Sequence, residues 1–137
     1  TRRSSDLNGL RGGLAYHAAH GKEKHAAAIE ADSGAGAPRG FGYTGTPAQI
    51  AQLQGWAQLF QALGASQFTV GGGGADISPL TKDGVFSLGL HPDASLYFDL
   101  HHSPADTFDK IVPDHLARNT AAMALMAYLL AEQGPGL

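Results

Sequence analysis

Two groups of polar side chains in this sequence have the composition of a reactive site. Asp32 and Ser33 follow one short apolar run, and residues 91–106 follow another. Because open α/β sheets bind ligands outside the carboxyl ends of their strands, we expect both groups to face one crevice. A carboxylate and an imidazole from different loops are suitable zinc ligands. Asp32 is the candidate carboxylate, and His101 or His102 is the candidate imidazole.

Asp106 lies four residues after His102 and has a possible supporting role. Its carboxylate could accept a hydrogen bond from the second ring nitrogen of a ligand histidine, which fixes the tautomer and orientation of the ring. The remaining histidines are better explained as solvated surface residues. These are His17, His20, His25, His91 and His115.

A serine hydrolase is an alternative interpretation of the same residues. Ser33 with His102, and with either Asp99 or Asp106, offers the residue types of a catalytic triad. However, Asp32-Ser33-Gly34 is not the Gly-x-Ser-x-Gly turn that exposes a nucleophilic serine in such enzymes.

The four glycines at residues 71–74 could indicate a phosphate-binding loop. The run lacks the Gly-Lys-Ser/Thr ending that such a loop needs. We therefore interpret it as a tight connection from a strand to a short helix, with Asp76 as the N-cap of that helix.

Helices and strands alternate along the chain, which predicts a three-layer α/β domain. The hydrophobic pattern predicts strands at 26–32, 41–44, 68–70 and 85–90, and helices at 11–24, 46–63, 76–82 and from 112 to Gly134. Alanine is a weak strand former, so residues 26–32 could also be helical, but the polar, glycine-rich stop that follows favours a strand. Residues 91–104 are expected to form a long functional loop.

Composition limits the function classes. A length of 137 residues suits one domain, 1–137. The net charge of −3 and the lack of a Lys/Arg cluster argue against a nucleic-acid partner. Without cysteine, disulfides and Cys-ligated zinc are excluded. No apolar run is long enough for a membrane span, and residues 1–5 do not resemble a signal peptide, so the compartment stays open.

Four segments match a known family in order: AIEADSG at 28–34, GADISPL at 74–80, GVFSLGL at 84–90 and YFDLHHSPADTFDK at 97–110. From about residue 8 to residue 132 the chain resembles the zinc aminopeptidases that include the plasma glutamate carboxypeptidase (carboxypeptidase Q) branch. The resemblance implies the C-terminal half of a dizinc aminopeptidase-like or carboxypeptidase Q-like catalytic domain. The implied fold is a fragment of the three-layer α/β/α zinc-exopeptidase (phosphorylase/hydrolase-like) sandwich.

The resemblance also implies roles for single residues. In this family, zinc activates a water molecule for peptide hydrolysis, with a glutamate as general base. Asp32 matches the aspartate that binds one zinc, and His102 matches the histidine that binds the other. His101 occupies a position that faces the substrate. Asp106 and Asp76 are candidates for carboxylates that support the ligands.

The sequence departs from the family at one motif. The family places two glutamates, the base and a zinc ligand, directly before an Asn/Gln-Gly-x-x-Gly-Gly run. The run is kept at residues 8–13, but Asp6 and Leu7 precede it. Asp6 could be a shortened base, whereas Leu7 cannot bind zinc. Two of the family's five ligands therefore remain, one for each zinc, although protein zinc sites use three or four.

From these residues we expect a zinc-dependent, exopeptidase-like hydrolase with an incomplete metal site. It would act weakly on peptides or small esters and amides, or act within a homo-oligomer that completes the site and covers exposed sheet edge and apolar surface. Two alternatives are a metal-independent esterase that uses Ser33 and a non-catalytic binding or structural module.

Overall fold

A four-stranded mixed sheet organises residues 9–134, the part of the chain that the computed structural model describes. The strands are β1 (Ala28–Glu30), β2 (Pro38–Thr44), β3 (Gln67–Val70) and β4 (Ser87–Pro92). Their order across the sheet is β1-β4-β2-β3. β1 runs parallel to β4 and β3 parallel to β2, while the central pair, β2 and β4, is antiparallel.

Within residues 9–134, five α-helices and two short 3₁₀ helices surround the sheet. The α-helices are α1 (Arg11–His20), α2 (Pro47–Gly55), α3 (Ser78–Lys82), α4 (Tyr97–Leu100) and α5 (Pro113–Gln133). The 3₁₀ helices are Ala57–Leu63 and Phe108–Lys110. Within residues 9–134, no helix has the length and apolar character needed to cross a membrane.

One face of the sheet forms the hydrophobic core. Side chains alternate between the two faces of a strand. Phe41 of β2 lies opposite Leu90 of β4, and Tyr43 lies opposite Leu88, so all four project from the same face. They are buried against α2, the 3₁₀ helix Ala57–Leu63 and α5. This part of the chain supplies further large core side chains: Leu53, Trp56, Phe60, Met126, Leu129 and Leu130.

The opposite face of the central strands is rich in glycine. Gly42 of β2 pairs with Gly89 of β4. A Cβ atom on Gly42 would overlap the carbonyl oxygen of Gly71, and one on Gly89 would overlap that of Gly73. The glycine run 71–74 therefore lies directly on the sheet as it connects β3 to α3.

Helix α3 covers the same glycine-rich face. The hydroxyl group of Thr81 in α3 donates a hydrogen bond of 2.7 Å to the Ser87 hydroxyl of β4. Helix α1 packs in turn against α3. With α2 and α5 on the core face, this arrangement gives the predicted α/β/α layering.

The predicted helix over 46–63 begins as expected but is broken in the middle. The Thr46 hydroxyl accepts from the Gln49 backbone N–H, and the Gln49 side chain accepts from the Thr46 N–H at 2.8 Å, which forms a capping box. α2 ends at Gly55, a poor helix former. A 3₁₀ helix follows because the Trp56 indole is buried in the core and donates to Gln133 of α5 at 3.1 Å.

Other predicted boundaries are also corrected. The helix expected over 11–24 ends at His20, where Gly21 forms its C-cap. β1 occupies only Ala28–Glu30 of the strand expected over 26–32. The long loop expected over 91–104 is wrong in part, because β4 continues to Pro92 and α4 forms within it.

Asp76 is not the N-cap of α3. The N-cap is Ile77, and its side chain makes no capping hydrogen bond. The carboxylate of Glu30 instead accepts from the backbone N–H groups of Asp76 and Ile77, at 3.0 and 3.1 Å. A carboxylate from β1 thus supplies the negative charge that the helix start favours, which leaves no need for a local cap.

Candidate active site

A cavity of about 450 Å³ lies where the loops after β1 and β4 meet. These strands are parallel neighbours, so their carboxyl ends lie at one edge of the sheet. Residues 32–37 form one wall, and residues between Asp93 and Asp106 form another. Lys110, Ile111, Val112 and His115 complete the lining.

Five residues singled out from the sequence line this cavity together. They are Asp32, Ser33, His101, His102 and Asp106. Asp32 and His102 are separated by seventy positions in the sequence, and the parallel pairing of β1 with β4 accounts for their meeting. The two polar groups of the sequence therefore share one crevice.

His102 has an unusual backbone conformation. Its φ of 56° lies in the left-handed region, and among non-glycine residues of the described chain only Leu10 shares this feature. The conformation costs an L-residue roughly 1–2 kcal/mol. Backbone strain of this kind concentrates at functional sites, where the surrounding structure enforces it.

The ring of His102 is the last of three aromatic rings that stack on one another. The His101 and His102 rings stack with centroids 3.7 Å apart, and the Tyr97 and His101 rings stack at 4.6 Å. We call Tyr97, His101 and His102 the ring stack. Tyr97 begins α4 and His101 is its C-cap, so one turn of helix aligns their rings.

The wall that carries Asp32 is held from two sides. The Asn119 side-chain amide of α5 donates to the Gly36 carbonyl at 2.9 Å, and the Asp93 N–H donates to the Ala37 carbonyl at 2.7 Å. A Cβ atom on Gly36 would overlap the Asp93 carbonyl oxygen. The loop after β1 is therefore packed tightly against the end of β4.

Asp93 adds a fixed negative charge to the cavity wall. A hydrogen bond from the Ser95 backbone N–H, at 2.9 Å, and then one from the Arg39 guanidinium, at 2.6 Å, lower the pKa of the Asp93 carboxyl from 3.8 to about 2. Asp93 is accordingly ionised at neutral pH. Its pairing with Arg39 also fixes the start of the loop that leads to α4.

Some proposed roles have no counterpart around this cavity. Asp76 lies in a second cavity with Gly13, Tyr16 and His25. Asp99 belongs to α4 and does not line the site. Asp6, the candidate base, is outside the described residues.

Two supporting interactions expected from the sequence remain predictions. Within residues 9–134, neither the Asp106 carboxylate nor the Ser33 hydroxyl hydrogen-bonds to a histidine ring. Both side chains line the cavity that contains His102, so each is near the group that it would serve.

Sequence reasoning missed Tyr97 and Asn119, and it placed His115 on the solvated surface although His115 lines the cavity. Asn119 interrupts the apolar stripe of α5 and is only 7% exposed, so a polar residue at a core position was the available signal. Tyr97 lies four residues before His101, the spacing of side chains that meet on a helix.

Three of the other predicted surface histidines take part in local pairs. His17 bonds to Asp83, His20 to Glu23 and His25 to Tyr16. These interactions tie α1 to its neighbours and lie away from the main cavity.

The described residues do not by themselves fit a resident zinc ion. A catalytic zinc normally has three protein ligands. Among residues 9–134, no set of three or more His, Cys, Asp or Glu side chains is arranged to hold a metal ion. Asp32 and His102 provide two candidate ligands in one cavity, which is fewer than the chemistry requires.

Comparisons with known proteins show which proteins this chain is similar to. No family model matches the chain. Carboxypeptidase Q of Mus musculus is 32% identical over 109 residues, which is 80% of this chain and 23% of that protein. Carboxypeptidase Q of Rattus norvegicus is 31% identical over the same length. The chain thus spans less than a quarter of the curated relatives that it matches.

A solved structure gives the same result for the fold. The crystal structure of a peptidase M28 precursor from Shewanella amazonensis SB2B superposes with a TM-score of 0.77 at 35% sequence identity. The match covers 90% of this chain and 28% of that one. Sequence and fold together identify the chain as part of a carboxypeptidase Q/peptidase M28-like domain.

Proposed function

We propose that this chain forms one part of the active site of a zinc-dependent exopeptidase. In this proposal Asp32 and His102 each give one ligand to a metal, and His101 faces the substrate. The observation that carries the proposal is the meeting of Asp32 and His102 in one cavity at the carboxyl ends of β1 and β4. The similarity to carboxypeptidase Q and peptidase M28 supplies the reaction class.

The cavity suits a small peptide, ester or amide as substrate. Its volume of about 450 Å³ lies within the range of small-molecule sites. Leu96, Leu100, Ile111 and Val112 offer apolar contact, while Asp32, Ser33 and the histidines offer polar groups. The mixture provides both packing for side chains and hydrogen-bond partners for a peptide group.

The remaining ligands must come from outside residues 9–134 or from a second copy of the chain. Asp6 is not one of them, because in this proposal it is the candidate general base. A homo-oligomer is the other source in this proposal. β1 lies at the edge of the sheet, and Phe98 is 85% exposed. An edge strand and exposed aromatic residues are surfaces that association covers.

The test is hydrolysis and zinc binding by the 137-residue chain. Chromogenic aminoacyl amides and dipeptides serve as substrates, with zinc added or removed by a chelator. We expect turnover only with zinc, and we expect Asp32→Ala and His102→Ala each to weaken zinc binding by at least about 10-fold in calorimetric titration. His20→Ala is the matched control, because His20 is an exposed histidine bonded to Glu23. Zinc binding by both variants at the parent's affinity would overturn the proposal.

The esterase alternative has one observation in its favour, because Ser33 lines the same cavity as His102 and Asp106. It predicts ester hydrolysis that survives the chelator and is lost in Ser33→Ala. A non-catalytic module predicts no turnover of any substrate at any zinc concentration. The same set of assays therefore separates the three functions.

A further inference from the structure

The ring stack connects the two loops that carry the proposed metal ligands. Tyr97 is its outer member, and the Cδ2 edge of the Tyr97 ring faces Gly34. A Cβ atom built on Gly34 would lie 3.3 Å from the Tyr97 ring carbon Cδ2. Gly34 follows Asp32 by two residues, so the Tyr97 ring lies beside the loop that carries Asp32 and also stacks on His101.

We propose that Tyr97 is a positioning residue that sets the orientation of the His102 imidazole and its distance from Asp32. The proposal deepens the proposed function, on which its metal-binding consequence depends. Contact runs from Gly34 through Tyr97 and His101 to His102, with ring separations of 4.6 and 3.7 Å. Each contact limits the rotation of the next ring, so the orientation of His102 depends on Tyr97.

The contribution of Tyr97 comes from its ring and not from its hydroxyl group. Within residues 9–134 the Tyr97 hydroxyl makes no hydrogen bond, whereas the ring contacts Phe98 as well as His101. Aromatic rings at these separations attract each other beyond the effect of their burial. Phenylalanine should therefore replace tyrosine at this position, and leucine should not.

The left-handed backbone of His102 makes such support necessary. A φ of 56° is unfavourable for a histidine, so contacts with the surrounding structure must hold this conformation. The immediate contact is the stack on His101. Loss of Tyr97 frees His101 to turn, and His102 loses its fixed neighbour.

The experiment compares Tyr97→Phe, Tyr97→Leu and a control, Phe108→Leu, in the 137-residue chain. Phe108 is 86% exposed and lies outside the cavity lining, so its replacement removes an aromatic ring without touching the stack. The first readout is the imidazole resonances of His101 and His102 in NMR spectra of the metal-free protein at one pH, after subtraction of the shift that loss of the Tyr97 ring current itself produces. The second is the dissociation constant for zinc alone.

We expect Tyr97→Leu to shift the imidazole resonances of both histidines and to weaken zinc binding by about 10-fold, as loss of a residue that orients a ligand does. Tyr97→Phe and Phe108→Leu should change neither. Unchanged His102 resonances in a folded Tyr97→Leu variant would overturn the proposal.

Two further outcomes distinguish failure of the positioning role of Tyr97 from failure of the proposed metal-dependent function. Shifted His102 resonances in Tyr97→Leu, with no zinc binding by the parent chain, support the positioning role and refute the metal-dependent function. If Tyr97→Leu does not fold, nuclear Overhauser effects between the Tyr97 and His101 rings of the parent chain decide the matter. Their presence supports the stack, and their absence overturns it.

Discussion

The left-handed backbone of His102 allows a test on two neighbouring residues. The stability difference between a glycine variant and an alanine variant should have opposite signs at His102 and His101. His102 and His101 are each replaced, in separate variants, by glycine and by alanine. Both replacements at one position remove the same imidazole and the same ring contacts. The difference between glycine and alanine therefore reports the backbone alone.

The expected magnitude follows from the dihedral angles. At φ 56° an L-residue pays roughly 1–2 kcal/mol that glycine does not pay. Glycine loses more chain entropy on folding than alanine, and this loss reduces its advantage by roughly 0.5–1 kcal/mol. His102→Gly should therefore be more stable than His102→Ala by about 0.5–1 kcal/mol. His101 has φ −52° and ψ 123°, which any residue adopts, so His101→Gly should be less stable than His101→Ala.

Urea unfolding followed by circular dichroism measures these differences as shifts in the midpoint at constant slope. A difference of 1 kcal/mol also corresponds to about 4 °C in the melting temperature of a domain of this size. If glycine is less stable than alanine at both positions, His102 does not have a left-handed backbone in solution. Backbone strain would then give no support to a functional role for His102.

Three further predictions test the fold and the charge of the cavity wall. Thr46→Ala should lower the free energy of unfolding by about 1 kcal/mol in urea titration because it removes the capping box, while Thr46→Ser, which keeps the hydroxyl, should stay near the parent. Gly42→Ala should cost at least about 2 kcal/mol by the same measurement, because its Cβ overlaps the Gly71 carbonyl, whereas Gly55→Ala, which meets no atom within 4 Å, should not destabilise the protein. The pKa of Asp93 falls from 3.8 to about 2 on folding, so its ionised form stabilises the protein above about pH 4, and this contribution is lost as the pH falls towards about 2. Asp93→Asn should flatten that part of the stability profile in urea midpoints, and an unchanged profile would contradict the assigned pairing with Arg39 and Ser95.

Much of this fold follows from local sequence signals. The capping box at Thr46 and the long helix up to Gly134 depend on residues close together in the sequence, and both are present. Predicting the crevice shared by Asp32 and His102 required one more rule. Polar residues that follow neighbouring parallel strands meet at one edge of the sheet. That rule succeeded because β1 and β4 are adjacent and parallel.

Two of the errors have a different cause, which is competition from distant residues. Helix α2 stops before Trp56 because the indole finds Gln133, 77 positions away, and Asp76 is not a cap because Glu30 occupies the helix start from another strand. The placement of the Tyr97 ring belongs to the same class, since the ring lies beside Gly34, which is 63 positions away in the sequence. The sequence reveals which groups can react, whereas their orientation depends on packing partners that no local pattern specifies. A variant that keeps Asp32 and His102 but removes Tyr97 is therefore expected to retain the residue types of the site while losing its geometry.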